Sequence, residues 1–285
     1  MPSRENNVQP AVCEPRGGAR QAEQAVAHAG TSSPDVCEAS ALLGGNGTEA
    51  GCAVMPVVEK FVSINGEGRC AGKLAAFIRF AGCNLRCSYC DTMWANEPGA
   101  AVQSETVAAL VAWVRETGVE CVTLTGGEPV LQPHLAQLVR VLCGEAGPTG
   151  HGLRVEVETN GAADLAELAN LRQQLRGVAP GALTFTVDWK LPSSGMEAHM
   201  LPANFALLDA RDAVKFVCAE SDLPRVLEVA RQLDLPGRVP VYLSPCFGRI
   251  EPARIVEFMQ ENGMIWATAQ LQLHKIIWPN IERGV

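Results

Sequence analysis

The sequence predicts an α/β domain over residues 55–285, a partial (open) β/α barrel of about six parallel βα units. From Val57 onward short apolar runs alternate with amphipathic stretches, the pattern of repeated βα units around a parallel sheet. The units number about six, short of the eight that close a barrel. The unusual polar residues fall at the ends of the strand runs, where parallel α/β architectures collect their chemistry.

Taken in order, VVEKFVS and LAAFIRFAG are the first strands. Ser104 is placed as the N-cap of a helix with Val107, Leu110, Val111 and Val114 on one face, and Gly118 ends it. The strand VECVTLT precedes a helix carrying Leu135, Leu138, Val139 and Leu142, and LRVEVET precedes ADLAELANL. LTFTVDWK follows, then AVKFVCA before PRVLEVARQL, and VPVYLSP before ARIVEFMQ. Residues 1–54 differ: Ala, Gly, Ser, Glu and Pro predominate, aromatics are absent, and the apolar residues are too scattered to offset the entropy of ordering. The expectation there is a disordered tail, with the second reading that translation starts at Met55, which opens MPVVEKFVSINGEG.

The length of 285 residues allows one large domain or two small ones, with the composition of a soluble globular protein. No apolar stretch approaches bilayer length, and MPSRENNVQP lacks the hydrophobic region of a secretory signal. A cytoplasmic protein without membrane association is expected. In that compartment Cys13, Cys37, Cys52, Cys70, Cys121, Cys143, Cys218 and Cys246 should be reduced thiols. The net charge of -8, with no basic stripe, disfavours nucleic acid as a ligand. A small-molecule substrate fits better.

Three cysteines, Cys83, Cys87 and Cys90 in GCNLRCSYCDT, supply three thiolates from one short loop. Ferredoxin-type clusters use four cysteines. A C-x3-C-x2-C set suits a [4Fe-4S] cluster with one iron left open for a non-protein ligand, and so for chemistry. Zinc is the rival reading, but it wants a further cysteine or histidine pair to close its tetrahedron, and none follows Cys90. A thioredoxin-like pair of Cys87 and Cys90 would leave Cys83 without a role.

Thr125, Gly126, Gly127, Glu128 and Pro129 follow VECVTLT directly. The glycines would let a ligand approach the backbone, and the Glu128 carboxylate suits an amino group; a glycine-rich turn before a helix is the plainer alternative. Glu158, Thr159, Asn160 and Gly161 close LRVEVET, and Asp188, Trp189 and Lys190 close LTFTVDWK. Each group could be a cap or a turn. At successive strand ends they would line one rim with ligand-binding groups. Arg79 lies in a strand that otherwise reads as buried, where an unpaired guanidinium is costly; a substrate carboxylate or a structural salt bridge would partner it.

By the C-x3-C-x2-C loop and the TGGEP strand end, the chain resembles a radical S-adenosylmethionine enzyme. Within that superfamily it resembles the 7-carboxy-7-deazaguanine synthases, through FVSINGEGRCAGKLAAFIRFAGCNLRCSYCDT (residues 61–92), TGGEP, VETNG, DWKLPSSGM and LQLHKIIW. The resemblance covers nearly everything after Met55 and none of the tail. It implies a [4Fe-4S] cluster on Cys83, Cys87 and Cys90, whose open iron chelates S-adenosylmethionine. One electron cleaves the sulfonium, and the 5'-deoxyadenosyl radical takes hydrogen from C6 of 6-carboxy-5,6,7,8-tetrahydropterin. Ring contraction with loss of ammonia then gives 7-carboxy-7-deazaguanine, a precursor in queuosine and 7-deazapurine biosynthesis.

The resemblance further implies that Tyr89, Asp91, Gly126, Gly127, Glu128, Asp188, Trp189 and Lys190 hold S-adenosylmethionine. It assigns Ile64, Asn65, Gly66, Glu67, Arg79, Thr125, Glu158 and His274 to the pterin, with Asn65 standing where relatives carry Gln. Thr92 would be a Mg2+ ligand, completed by substrate oxygens and waters, or else a helix cap. No residue is assigned as a catalyst in its own right, because the cofactor carries the radical. A flavodoxin or ferredoxin electron donor and a homodimer are implied as partners. Two other readings of the loop are an activase for a glycyl-radical enzyme, and an iron-sulfur sensor or electron carrier.

Overall fold

The computed structural model describes residues 53–177, 183–281 and 283–285. The expected tail therefore lies outside the described residues up to position 52. Ala53 is buried, and the first strand opens at Val54, one residue before the expected boundary.

Nine strands form one sheet in the order β3-β1-β2-β4-β5-β6-β7-β8-β9. They are β1 (Val54–Ile64), β2 (Leu74–Phe80), β3 (Gln103–Thr106), β4 (Cys121–Gly126), β5 (Arg154–Thr159), β6 (Leu183–Asp188), β7 (Ala213–Cys218), β8 (Val241–Pro245) and β9 (Ala267–Ala269). From β2 through β9 every pairing is parallel, and the connections carry helices α1 (Val107–Thr117), α2 (Leu135–Gly144), α3 (Ala166–Leu175), α4 (Pro202–Ala206), α5 (Leu223–Gln232) and α6 (Pro252–Glu261). A short α7 (Leu273–Ile277) follows β9. Among the described residues no pairing joins β9 to β3, so the sheet is open, as expected.

The central strands are apolar because both faces are covered. Every residue of β7 is buried, as are the first five of β4. Helices contribute their periodic faces to the same core: Val107, Leu110, Val111 and Val114 from α1, and Leu135, Leu138, Val139, Leu142 and Cys143 from α2.

Two local expectations are corrected. VVEKFVS does not open a βα unit; β1 pairs antiparallel with β2, because the loop between them is too short for a helical crossover. Ser104 is not the N-cap of α1 but a residue of β3, paired with Pro56. The cap is Thr106, whose side chain accepts a hydrogen bond from the Ala109 N–H at 3.1 Å, and Gly118 ends the helix in the left-handed conformation (φ 64°).

The chain after β9 returns across the open sheet to the β1–β2 loop. The Gln270 side chain bonds both ways with Gly68, accepting from its N–H at 2.7 Å and donating to its carbonyl at 3.0 Å. The Leu273 N–H donates to the Gly66 carbonyl at 3.2 Å. A Cβ on Gly66 would stand 2.6 Å from the His274 Nδ1, so any larger residue here displaces the imidazole from its place against this loop. Among the described residues no helix is long and apolar enough to cross a membrane.

Candidate active site

A cavity of about 630 Å³ opens at the C-terminal ends of the parallel strands. The register explains why polar groups converge there. Arg79 on β2 is the cross-strand neighbour of Thr125 on β4, Glu158 on β5 that of Thr186 on β6, and Asp188 on β6 that of Lys215 on β7. All six line the cavity.

Cys83, Cys87 and Cys90 line one wall, all three free thiols. Cys83 Sγ accepts from the Leu85 N–H at 3.4 Å and from Asn160 Nδ2 at 3.6 Å. Burial pushes the Cys83 and Cys87 thiols above their ordinary pKa. Among the described residues no three His, Cys, Asp or Glu side chains converge on a single metal ion. The three free thiols line the same cavity, and three thiolates from one short loop are the donor set that a [4Fe-4S] cluster with one open iron takes.

Of the residues assigned to S-adenosylmethionine, Tyr89, Asp91, Gly126, Gly127, Asp188 and Lys190 line the cavity. The Tyr89 hydroxyl is buried without a hydrogen-bond partner among the described residues, which marks a place for a polar ligand atom. Asp91 lies 3.2 Å from Lys275 Nζ and 3.8 Å from His274 Nε2. Crowding by its neighbours would raise its pKa although the side chain is 47% exposed, yet the His274 imidazole and Lys275 ammonium hold it well below the usual carboxylate range. Asp188 is likewise depressed, against the effect of burial, by Lys190 at 2.5 Å and Lys215 at 3.4 Å.

Glu128 and Trp189 do not reach the cavity. The Glu128 carboxylate is fully buried and accepts from Thr159 Oγ1 at 2.6 Å, the Asn160 N–H at 2.7 Å and the Val130 N–H at 3.1 Å. Three donors of the protein meet this carboxylate, and the side chain lies outside the lining of the cavity. Burial pushes its pKa up to about 7, with the three donors opposing. Trp189 packs edge-on against Phe205 at 5.2 Å and donates from Nε1 to Glu197 Oε1 at 3.3 Å, behind the Asp188–Lys190 wall. The two glycines are required by the protein's own backbone: a Cβ on Gly126 would meet Phe80 N and O at 2.4 Å, and one on Gly127 the Gly82 carbonyl at 2.1 Å.

Of the residues assigned to the pterin, Ile64, Gly66, Glu67, Arg79, Thr125, Glu158 and His274 line the cavity. Arg79 is partnered by protein: Nε donates to Glu59 Oε1 at 2.7 Å, and the guanidinium lies 6.0 Å from the Phe61 ring. Its two terminal amino groups have no partner among the described residues, so the salt bridge orients the guanidinium and leaves its fork free. Glu158 has no hydrogen-bond partner there either; burial raises its pKa, helped by Glu67 and Asp188 and opposed by Lys215 and Arg79. Glu67 Oε2 accepts from Lys215 Nζ at 3.1 Å and Gln272 Nε2 at 3.3 Å, while Oε1 is buried with no partner among the described residues. Asn65 is the exception. It is buried below the cavity, where Oδ1 accepts from Thr123 Oγ1 at 2.8 Å.

Thr92 lines the cavity with its hydroxyl 3.6 Å from Cys90 Sγ. It precedes a short 3-10 turn, Met93–Asn96, but its side chain makes no capping hydrogen bond. Sequence reasoning missed Lys215, Thr186, Gln272 and Lys275. Lys215 had a readable signal, a single charge inside the apolar run AVKFVCA, the same anomaly that singled out Arg79.

Residues 77–187 match the family model of the radical SAM superfamily. The chain is 45% identical over 230 residues to a 7-carboxy-7-deazaguanine synthase of Clostridium acetobutylicum, covering 80% of this chain and 98% of that one. It is 33% identical to the enzyme of the same name from Chlorobaculum tepidum, covering 82% and 98%. The crystal structure of QueE from Escherichia coli shares the fold, with a TM-score of 0.55 at 21% identity over 77% of this chain and 94% of that one. The open parallel sheet and the three-cysteine loop define a radical S-adenosylmethionine enzyme. More narrowly, the chain belongs to the 7-carboxy-7-deazaguanine synthase family.

Proposed function

We propose the following division of labour for the family reaction in this chain, the ring contraction of 6-carboxy-5,6,7,8-tetrahydropterin to 7-carboxy-7-deazaguanine with loss of ammonia. Bound cluster and S-adenosylmethionine supply hydrogen-abstracting radical chemistry that no protein side chain provides. Cys83, Cys87 and Cys90 hold the cluster. Tyr89, Asp91, Gly126, Gly127, Asp188 and Lys190 hold S-adenosylmethionine, with Glu128 and Trp189 bracing that wall from behind. Lys190 and the depressed carboxylates of Asp91 and Asp188 offer paired charges to its amino acid moiety.

The pterin sits against Ile64, Gly66, Glu67, Arg79, Thr125, Glu158 and His274. The free fork of Arg79 takes the substrate carboxylate in a bidentate grip. Glu67 and Glu158 accept from the ring N–H groups, and the orphaned Glu67 Oε1 supports that assignment. Asn65 acts indirectly, bracing the loop from below. Thr92, whose hydroxyl caps nothing, holds Mg2+ together with substrate oxygens and waters. The enzyme works in the cytoplasm, takes its electron from a flavodoxin or ferredoxin, and pairs as a homodimer, for which the exposed Val62 and Leu74 at the β1–β2 hairpin offer apolar surface.

The observation that carries this reading is the convergence of the cysteine loop with Glu67, Arg79 and Glu158 on one cavity. Anaerobic incubation of the reconstituted protein with S-adenosylmethionine, magnesium, reductant and 6-carboxytetrahydropterin tests it by mass spectrometry. Both 5'-deoxyadenosine and 7-carboxy-7-deazaguanine should form; 5'-deoxyadenosine without the deazaguanine would overturn the substrate.

A further inference from the structure

Lys215 lies mid-strand on β7, far in sequence from every motif, yet its ammonium reaches the cavity. Its Nζ stands 3.1 Å from Glu67 Oε2 and 3.4 Å from Asp188 Oδ1. Asp188 in turn holds Lys190 at 2.5 Å. The four groups form an alternating row, Glu67, Lys215, Asp188, Lys190, running from the pterin side of the cavity to the cofactor side. Glu67 comes from the β1–β2 loop and Asp188 from the end of β6, and among the described residues Lys215 is the side chain that pairs with both.

The electrostatics make this joint demanding. The side chains of Lys215, Glu67 and Asp188 are 11%, 10% and 15% exposed, so each charge has lost most of its water and depends on the others. Glu67 and Asp188 repel each other, and Glu158 adds a third carboxylate nearby. One further oxygen, Glu67 Oε1, is buried without a hydrogen-bond partner among the described residues, and Asp188 Oδ1, which accepts no hydrogen bond from them, has the Lys215 ammonium at 3.4 Å as its ion-pair partner. Lys215 itself has three protons and one hydrogen-bonded acceptor, Glu67.

We propose that Lys215 is a positioning residue that holds Glu67 and Asp188 in fixed register, and so holds the pterin against the reacting end of S-adenosylmethionine. The inference rests on the assignment of Glu67 to the pterin and of Asp188 to the cofactor. Without the ammonium, the two carboxylates separate or take up protons, and the pterin sits loosely where hydrogen is abstracted. Cofactor cleavage then proceeds without productive ring contraction. An arginine would retain the charge and both contacts in altered geometry.

The test compares native enzyme with Lys215→Met and Lys215→Arg, all anaerobically reconstituted. Three quantities are read: substrate affinity at saturating S-adenosylmethionine, the ratio of 5'-deoxyadenosine to 7-carboxy-7-deazaguanine, and iron content. Lys215→Met should weaken pterin binding about tenfold or more, as expected for breaking a buried charge pair, and raise the ratio several-fold with iron content unchanged. Lys215→Arg should recover much of both. In a Glu67→Gln background the further effect of Lys215→Met on pterin affinity should shrink, because the two residues act as a unit. Native affinity and ratio in Lys215→Met, or strictly additive effects in the double variant, would overturn the inference. If native enzyme forms no deazaguanine, the substrate assignment fails instead.

Discussion

The Glu128 carboxylate accepts the backbone N–H of Asn160 at 2.7 Å, and the Asn160 side chain reaches Cys83 Sγ at 3.6 Å. The acidic residue of the TGGEP strand end thus shapes the cluster loop from behind the cavity wall. Its three partners are all donors: Thr159 Oγ1, Asn160 N–H and Val130 N–H. A side-chain amide would point its own N–H groups at one or more of them. Glu128→Gln should therefore cost about 1–3 kcal/mol of stability, the range for a buried donor left unsatisfied. It should also lower iron retention during gel filtration, with S-adenosylmethionine affinity falling only in proportion to cluster content. A direct ligand role for the carboxylate would instead reduce that affinity at full iron loading.

Arg79 shows how one side chain can satisfy a structural and a functional reading at once. The bond from Nε to Glu59 at 2.7 Å leaves the terminal amino groups without a hydrogen-bond partner among the described residues, on a side chain that lines the cavity. A lysine has a single nitrogen and cannot keep the Glu59 contact while presenting a two-point fork. Arg79→Lys should raise KM for the pterin about ten- to hundredfold, the loss expected for charge-assisted hydrogen bonds of about 1.5–3 kcal/mol. Glu59→Gln should raise it less, since the guanidinium loses its anchor but not its charge. Iron content should be native in both. A native KM in Arg79→Lys would remove Arg79 from the substrate carboxylate.

Motifs gave the residues whose roles depend on local spacing. The three cysteines, the glycines of TGGEP and the polar strand ends are legible because a strand followed by a turn puts its last residues on one rim. The parallel order was legible because strands buried on both faces read as apolar runs. What the sequence could not show was the side of the wall on which a side chain would fall. Glu128 and Trp189 stand inside motifs yet face the core, and Asn65 turns down to Thr123. The closure of the site by Gln270, Gln272 and α7 depends on contacts across some two hundred residues, which no local pattern encodes.

Glu156, two residues before Glu158 on the same face of β5, offers a pH test of the barrel floor. It is 5% exposed; Thr186 Oγ1 donates to Oε1 at 2.5 Å, and Oε2 is buried with no partner among the described residues. Burial first, then Glu158 and Cys70, push its pKa up to about 8, with the Thr186 hydroxyl and Lys215 opposing. The ordinary value is 4.5. Between these values the folded chain keeps a proton that the unfolded chain has released. Its contribution to stability is therefore fully present below about pH 4.5 and is lost as the pH rises through about 8. Glutamine is a neutral isostere that carries no such dependence. Anaerobic thermal melts should show Glu156→Gln close to native at pH 5. At pH 9 the variant should be the more stable by more than about 1.4 kcal/mol, the value of one pKa unit. Titrations of groups that do not interact with Glu156 cancel in the difference between the two proteins, whereas those of Glu158, Cys70 and Lys215 respond to the loss of its charge. An equal gap at both pH values would mean that Glu156 is ionised throughout, and that the orphaned oxygen carries no proton.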